Sequence, residues 1–319
     1  MKFYLYKLSF SSPFHAGERE NILEKSEVFI HSDTLFSAFC HSYLLLYGKK
    51  RLEELLKRFQ EEDESPFRIS SAFPWEGEKL YFPLPLNQIP RDKKFKKVRF
   101  VEKSVWEELL KGKKLEEMPP EEMLPPPTEG RGNIPWKETE VPRVSLSRLS
   151  QHPGGEFFHF GEVYFKENAG LFFLVEFKEN DFKKEFEATL RLMSQEGIGG
   201  DRTVGKGFFE MRKSEEIDFN LPEGEKGMLT LSLYSPREEE IKDLKEGFYE
   251  IKERSGYIFS PEGRSFRRKS VRMFAEGSVF PSSKKGKLVE VTPEIFKNKH
   301  PVYRYGICFP LPCKLRKEE

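Results

Sequence analysis

The passage from residue 182 to residue 211 constrains the fold most. Phe182, Phe186, Leu190 and Met193 recur at helical spacing, which predicts one amphipathic helix over 182–196. Gly197 stands where a glycine just past the last turn stops such a helix. The next segment, Gly197-Ile198-Gly199-Gly200-Asp201-Arg202-Thr203-Val204-Gly205-Lys206-Gly207, holds five glycines and two cations, and a strand is expected at 208–211. Glycines permit φ > 0 and let backbone N–H groups converge on an anion. A helix C-terminus is the wrong dipole end for phosphate, so those N–H groups, Arg202 and Lys206 must carry any such site.

The run from Gly200 to Lys206 fits the first part of a nucleotide-binding P-loop, GxxxxGK. Two features argue against nucleotide hydrolysis. The next residue is Gly207, so the Mg²⁺-binding Ser or Thr is missing. A P-loop also follows a strand and opens a helix, whereas this segment follows a helix and opens a strand. The expectation is an anion-gripping loop without chemistry of its own.

Around this segment the chain alternates strand and helix patterns. Residues 2–10 alternate and are rich in aromatics, so they predict a strand. Ser32-Asp33 is placed to cap a helix carrying Leu35, Phe39, Tyr43 and Leu46, ended by Gly48 and followed by a charged amphipathic stretch at 50–60. Residues from about 61 to 142 are less regular and include a basic run (91–103), for which a solvated face is the expected account. Two strands at 141–149 and 157–165 flank a Pro153-Gly154-Gly155 turn, and an apolar strand follows at 171–177. The order is βαββαβ with a large insertion. A second, degenerate unit begins after a linker at 220–227, with a strand at 228–234, a helix capped by Ser235-Pro236-Arg237-Glu238, and strands at 248–253, 269–274 and 303–309. The fold class expected is α+β, two ferredoxin-like (RRM-like) domains at 1–225 and 226–319. The first carries the insertion (61–165), a β-hairpin thumb (141–165) and the glycine-rich loop (197–207).

Lys and Arg number 54 and Asp and Glu 53, a net charge of +1, so a polyanion site must come from local clustering. The three cysteines, Cys40, Cys308 and Cys313, have no metal-ligand spacing and are expected to be reduced thiols. No apolar run is long enough to span a membrane, and the expected location is the cytoplasm.

Three stretches carry a family resemblance. They are Ser12-Pro13-Phe14-His15-Ala16-Gly17, His31-Ser32-Asp33-Thr34-Leu35-Phe36-Ser37-Ala38-Phe39, and the glycine-rich segment through Phe209. A fainter one is Pro142-Arg143-Val144-Ser145-Leu146-Ser147-Arg148. Together they resemble the RAMP superfamily of CRISPR proteins. More narrowly they resemble the Csm four family, the Cas-five-like subunits of type III-A effector complexes. The resemblance implies a cap at the 5′ end of the effector that holds the repeat-derived 5′ tag of the crRNA. It implies docking to the large Cas ten subunit, contact with the first Csm backbone subunit, and indirect contact with target RNA. It also implies that the thumb pushes between bases near the start of the guide–target duplex. Phe157, Phe158 and Phe160 on its return strand could wedge against bases or form the hairpin's own core face.

The RNA-contacting residues expected are His15, His31, Ser32, Arg143 and Arg148, with Gly197, Gly199, Gly200, Asp201, Arg202, Thr203, Gly205, Lys206 and Gly207 of the loop. Arg264, Arg267 and Arg268 form a second basic cluster around Phe266. No catalytic residue, metal ligand or cofactor is expected. The alternative is a RAMP endoribonuclease processing CRISPR RNA precursor, with general acid and base drawn from His15 and His31 among His15, His31, His41, His152, His159 and His300. In the processing nucleases the glycine-rich loop lies near the chain end; here it closes the first unit, the layout of the non-cleaving cap. His41 is expected in the core, and Asp33 at a helix N-cap.

Overall fold

The computed structural model describes residues 2–17, 23–61, 65–88, 90, 92–127, 133–145, 156–225, 227–263 and 266–315. The aromatic strand at the start forms as β1 (Phe3–Phe10). Helix α1 spans Ser32–Gln60 and is broken at Gly48 (φ 81°, ψ 171°), so the charged stretch is its second limb. β2 (Phe67–Ile69), β3 (Phe73–Glu76), β4 (Lys79–Pro83) and β5 (Phe100–Glu102) come next. Helix α2 (Lys103–Leu110), β6 (Met123–Leu124), β7 (Trp136–Ser145), β8 (Glu156–Phe165) and β9 (Ala169–Phe177) follow. Helix α3 (Phe182–Glu196), β10 (Phe209–Met211) and β11 (Glu215–Ile217) complete this half.

Nine of these strands make one antiparallel sheet in the order β10-β1-β9-β3-β4-β5-β6, with β11 also on β1 and β2 also on β9. The part of the insertion read as irregular therefore extends the main sheet through β3 to β6. These strands escape a periodicity reading because they are short and several are buried on both faces, as in the run Phe73-Pro74-Trp75. β7 and β8 stand apart as a two-stranded ribbon, paired from Trp136–Phe165 to Ser145–Glu156. Its base is tied to the body by the Phe14–Val163 bridge. Helices α1 and α3 cover the sheet through aromatic contacts, with Phe39 stacked on Phe186 at 4.9 Å and Phe186 edge-on to Phe67 at 4.9 Å.

The second half holds β12 (Gly227–Thr230), β13 (Ile251–Arg254), β14 (Val271–Phe274), β15 (Val279–Phe280), β16 (Gly286–Glu290), β17 (Tyr303–Ile307) and β18 (Pro310–Cys313). They form a three-stranded sheet, β15-β12-β18, and the ribbons β13-β14 and β16-β17. The helix expected from Ser235 is instead a 3₁₀ segment, Glu238–Glu246, capped at Arg237. Ser235 is not free to cap: its N–H donates to Gly306 O and its carbonyl accepts from Lys287 N–H. Glu240 accepts from Arg237 N–H in a capping box and also from the N–H groups of Lys285 and Gly286 at the start of β16. Residues on both sides of position 225 share one buried apolar cluster. Tyr305 of β17 lies 4.8 Å from Phe36 of α1, and its hydroxyl oxygen accepts from Ile69 N–H at 3.1 Å.

Candidate functional site

The glycine-rich segment is held by its own backbone. Gly197 ends α3 at φ 78°, its N–H donating to Met193 O. Ile198 N–H donates to Gly207 O, Gly207 N–H to Pro13 O, and Gly200 N–H to His15 O. A tight turn closes the loop, with Val204 and Lys206 N–H groups donating to Asp201 O and Gly205 N–H to Arg202 O. These bonds correct the expectation of N–H groups converging on an anion. Here the glycines permit close backbone approach: a Cβ on Gly199 would stand 2.3 Å from His15 O, and one on Gly207 2.0 Å from Ile198 O.

Lys206 does not project freely either. Its Nζ lies 3.1 Å from the buried Glu162 of β8. Arg143 of β7 lies 3.2 Å from the same carboxylate and 3.3 Å from Asp201. Burial raises the Glu162 pKa, but hydrogen bonds from Tyr164, Lys206 and Arg143 outweigh it, and the carboxyl titrates below its ordinary range. Lys206, Arg143, Asp201 and Glu162 thus join the loop to the ribbon. Arg202 takes a different course, its guanidinium lying 4.3 Å from the Phe259 ring centroid.

The start of α1 builds a second polar cluster. Asp33 does not cap the helix. It is fully buried, and its carboxylate accepts a bidentate pair from Arg254 of β13 (3.0 Å each) and a third bond from Arg304 of β17 (2.6 Å). Burial raises its pKa, and the two guanidiniums overcome this, leaving Asp33 far below the usual carboxylate range. Ser32 is buried, its Oγ accepting from Leu233 N–H. His31 Nδ1 pairs with Glu276 at 2.8 Å, Ser71 Oγ donates to the same carboxylate, and His31 Nε2 is buried without a partner. Glu27 adds a further tie, accepting from Arg99 at 2.6 Å and Lys252 at 2.9 Å; these cations bring its pKa down to about 2 against the upward push of burial. Arg99 of the basic run is thereby placed in a specific pair.

Between these clusters opens a cleft of about 410 Å³. His15, His31, Gly199, Gly200 and Arg202 of the first half line it together with Arg254, Tyr257, Phe259, Arg268 and Arg304 of the second. Its lining holds four arginines and one carboxylate, Glu253. Asp33 lies directly behind Arg254 and Arg304, so four guanidiniums meet two carboxylates and a local excess of positive charge remains. Arg268 donates through Nε and a terminal nitrogen to Tyr257 O, at 2.9 and 2.7 Å, and Arg267 lies over the exposed Tyr257 ring at 5.5 Å. Burial among neighbouring cations lowers the Arg268 pKa to about 10, so it stays charged at neutral pH. His15 directs Nδ1 at Gly161 O (2.8 Å) and packs on Phe160 at 4.3 Å.

The structure thus brings His15, His31, Gly199, Gly200, Arg202 and Arg268 to one cleft and directs Ser32, Arg143 and Lys206 to internal partners. Thr203 is exposed and Gly197 and Gly207 are buried. Arg148, Arg264, His152 and the Pro153-Gly154-Gly155 tip lie outside the described residues. On the ribbon, Phe157 is 66% exposed, Phe158 half-buried and Phe160 buried, so the three rings do not act as one face. His41 is half-buried, not a core residue, and meets Phe259 edge-on at 4.8 Å. The sequence reading missed Arg254, Arg304, Tyr257 and Phe259. The charged and aromatic composition of 249–259 was visible, but no spacing pointed it toward the glycine-rich segment.

Comparison with known proteins adds three findings. Residues 7–210 match the model of the RAMP superfamily, and residues 223–313 match the CRISPR Csm4 C-terminal domain. The chain is similar to the CRISPR system Cms protein Csm4 of Methanocaldococcus jannaschii, at 25% identity over 100% of this chain and 99% of that one. It is similar to the protein of the same name from Thermococcus onnurineus, at 28% identity over 89% and 91% of the two chains. In fold it resembles a chain of the Csm3-Csm4 subcomplex of the type III-A CRISPR-Cas interference complex (TM-score 0.66, 21% identity, 99% and 100% covered). It likewise resembles a chain of the Csm1-Csm4 cassette crystallised with pppApA (TM-score 0.63, 22% identity, both chains covered fully).

Proposed function

The chain belongs to the RAMP superfamily, and from that premise we propose that it is a non-catalytic, RNA-binding subunit of a type III-A CRISPR interference complex. Its role is to hold the 5′ repeat-derived tag of the crRNA and to dock the large subunit. The observation that carries this reading is the cleft, where Arg202, Arg254, Arg268 and Arg304 face a space edged by Tyr257 and Phe259. Arginine supplies forks for phosphate and planes for bases, and aromatic rings supply stacking surfaces. The strand order β10-β1-β9-β3 is the fourth-first-third-second order of a βαββαβ unit, which supports a ferredoxin-like first half. The second half is its degenerate counterpart, with 3₁₀ turns where helices would stand. Csm1 and Csm3 accompany Csm4 in the similar solved complexes, which supports docking to a large subunit and to a backbone subunit.

One of the two candidate histidines, His31, is committed to structural contacts. A general acid or base must reach the proton it moves. His31 lines the cleft, but its Nε2 is buried and its Nδ1 is committed to Glu276. Filter binding of a labelled single-stranded repeat RNA tests the proposal. The expected result is binding without cutting. Arg202→Ala and Arg268→Ala should each lower the slope of log affinity against log salt by about 0.7, one phosphate contact on a single strand. Lys206→Ala should leave that slope unchanged, because its charge is already met by Glu162. Cleavage of the RNA by the pure protein, or an unchanged slope in both arginine variants, would overturn the assignment.

A further inference from the structure

We propose that His15 reads the 2′-hydroxyl of a strand lying in the cleft, accepting its hydrogen bond at Nε2 and so selecting RNA over DNA. The proposal rests on the RNA-binding reading and specifies which chemical group one side chain of that site recognises.

The argument begins with the tautomer. Nδ1 lies 2.8 Å from Gly161 O, and a carbonyl only accepts, so Nδ1 carries the hydrogen. In the neutral ring Nε2 then presents a lone pair. Burial lowers the His15 pKa, and the opposing pulls of Gly161 O, Asp201 and Glu162 do not reverse this, so the neutral form is the one present at neutral pH. A lone pair repels phosphate oxygens, which are acceptors themselves. It suits a donor, and the 2′-hydroxyl is the sugar donor that RNA has and DNA lacks.

Among the described residues, the packing leaves His15 lining the cleft. Phe160 covers a face of the imidazole at 4.3 Å. The Nε2 and Cδ2 edge is flanked by two glycines: a Cβ at Gly17 would stand 3.4 Å from Nε2, and one at Gly200 3.1 Å from Cδ2. Any side chain at either place would crowd the edge that faces the cleft.

Anisotropy titrations at neutral pH would compare one single-stranded RNA with the DNA of the same sequence. His15→Asn keeps a donor near the Nδ1 position and deletes Nε2; His15→Gln returns an amide near the Nε2 position. The expected result is a wild-type preference for RNA. His15→Asn should lower RNA affinity about three- to tenfold, the range of one neutral hydrogen bond, and leave DNA affinity unchanged. His15→Gln should restore part of the loss. Equal losses on RNA and DNA would mean that His15 reads a base or only supports the loop, and would overturn this proposal while leaving RNA binding intact. Tight RNA binding with no wild-type preference would overturn it too. Absence of RNA binding by the wild-type chain, alone and within its complex, would overturn the RNA-binding reading itself. Thermal melting of each variant identifies any loss that comes from unfolding.

Discussion

Replacing Asp33 by alanine is expected to destabilise the protein by about 3–5 kcal/mol, the cost of removing one partner from a buried ion pair. Asp33 is fully buried and satisfies Arg254 through two bonds and Arg304 through one. Without it, two guanidiniums from β13 and β17 remain close together with no carboxylate between them. Asp33→Asn should cost nearly as much, because the charge, and not the shape, is what holds the arginines. Urea denaturation of the wild type and both variants measures this, and a loss under about 1 kcal/mol would show that water or rearrangement meets the arginines instead. The same residue sets a pH dependence. Its folded pKa lies far below the unfolded value of about 3.9, so its stabilisation is complete above the unfolded value and is lost as pH falls further. Wild-type stability should therefore drop steeply below about pH 4, and Asp33→Asn should flatten that part of the curve.

The second large effect concerns the glycine-rich segment, where two neighbouring glycines should behave differently. Gly207 has φ +75°, and a Cβ there would stand 2.0 Å from Ile198 O, a backbone atom that cannot step aside cheaply. Gly205 has φ +87° with nothing within 4 Å of its Cβ position. Gly205→Ala should therefore cost about 1 kcal/mol of left-handed strain alone. Gly207→Ala adds a steric clash to the strain and should cost about 3–4 kcal/mol or displace the loop from Pro13 and Ile198. RNA affinity should fall with the second substitution and change little with the first. Denaturation together with RNA titration checks both parts, and equal effects at the two positions would show that the loop is not braced by its backbone.

Much of the first half was legible because its signals are local. Helix α3 runs over 182–196 as its apolar spacing predicts, Gly197 stops it, and β1 and β9 follow their alternating or apolar runs. Strands β2 to β6 of the insertion were not legible, since runs of two to five residues carry no period. The loop's composition was visible, but the destination of its N–H groups was not: it depends on Pro13 and His15, which lie far away in sequence. The second half lost its expected helix for a similar reason, because the Ser235 backbone is drawn into bonds with Gly306 and Lys287.

What the sequence determined by itself is the segment that closes the first half, a helix ended by glycine, a turn that tolerates φ > 0, and a return strand. Glycine's missing Cβ and the helical period act over a few residues, so no distant partner is needed to specify them. Only the tertiary structure decided which charges face the cleft. Lys206 and Arg143 are taken by Glu162, and Asp33 is taken by Arg254 and Arg304, 221 and 271 residues away. Partners at such distances leave no spacing in the chain, and it is the pairing of charges on burial that determines which cations remain to meet a ligand.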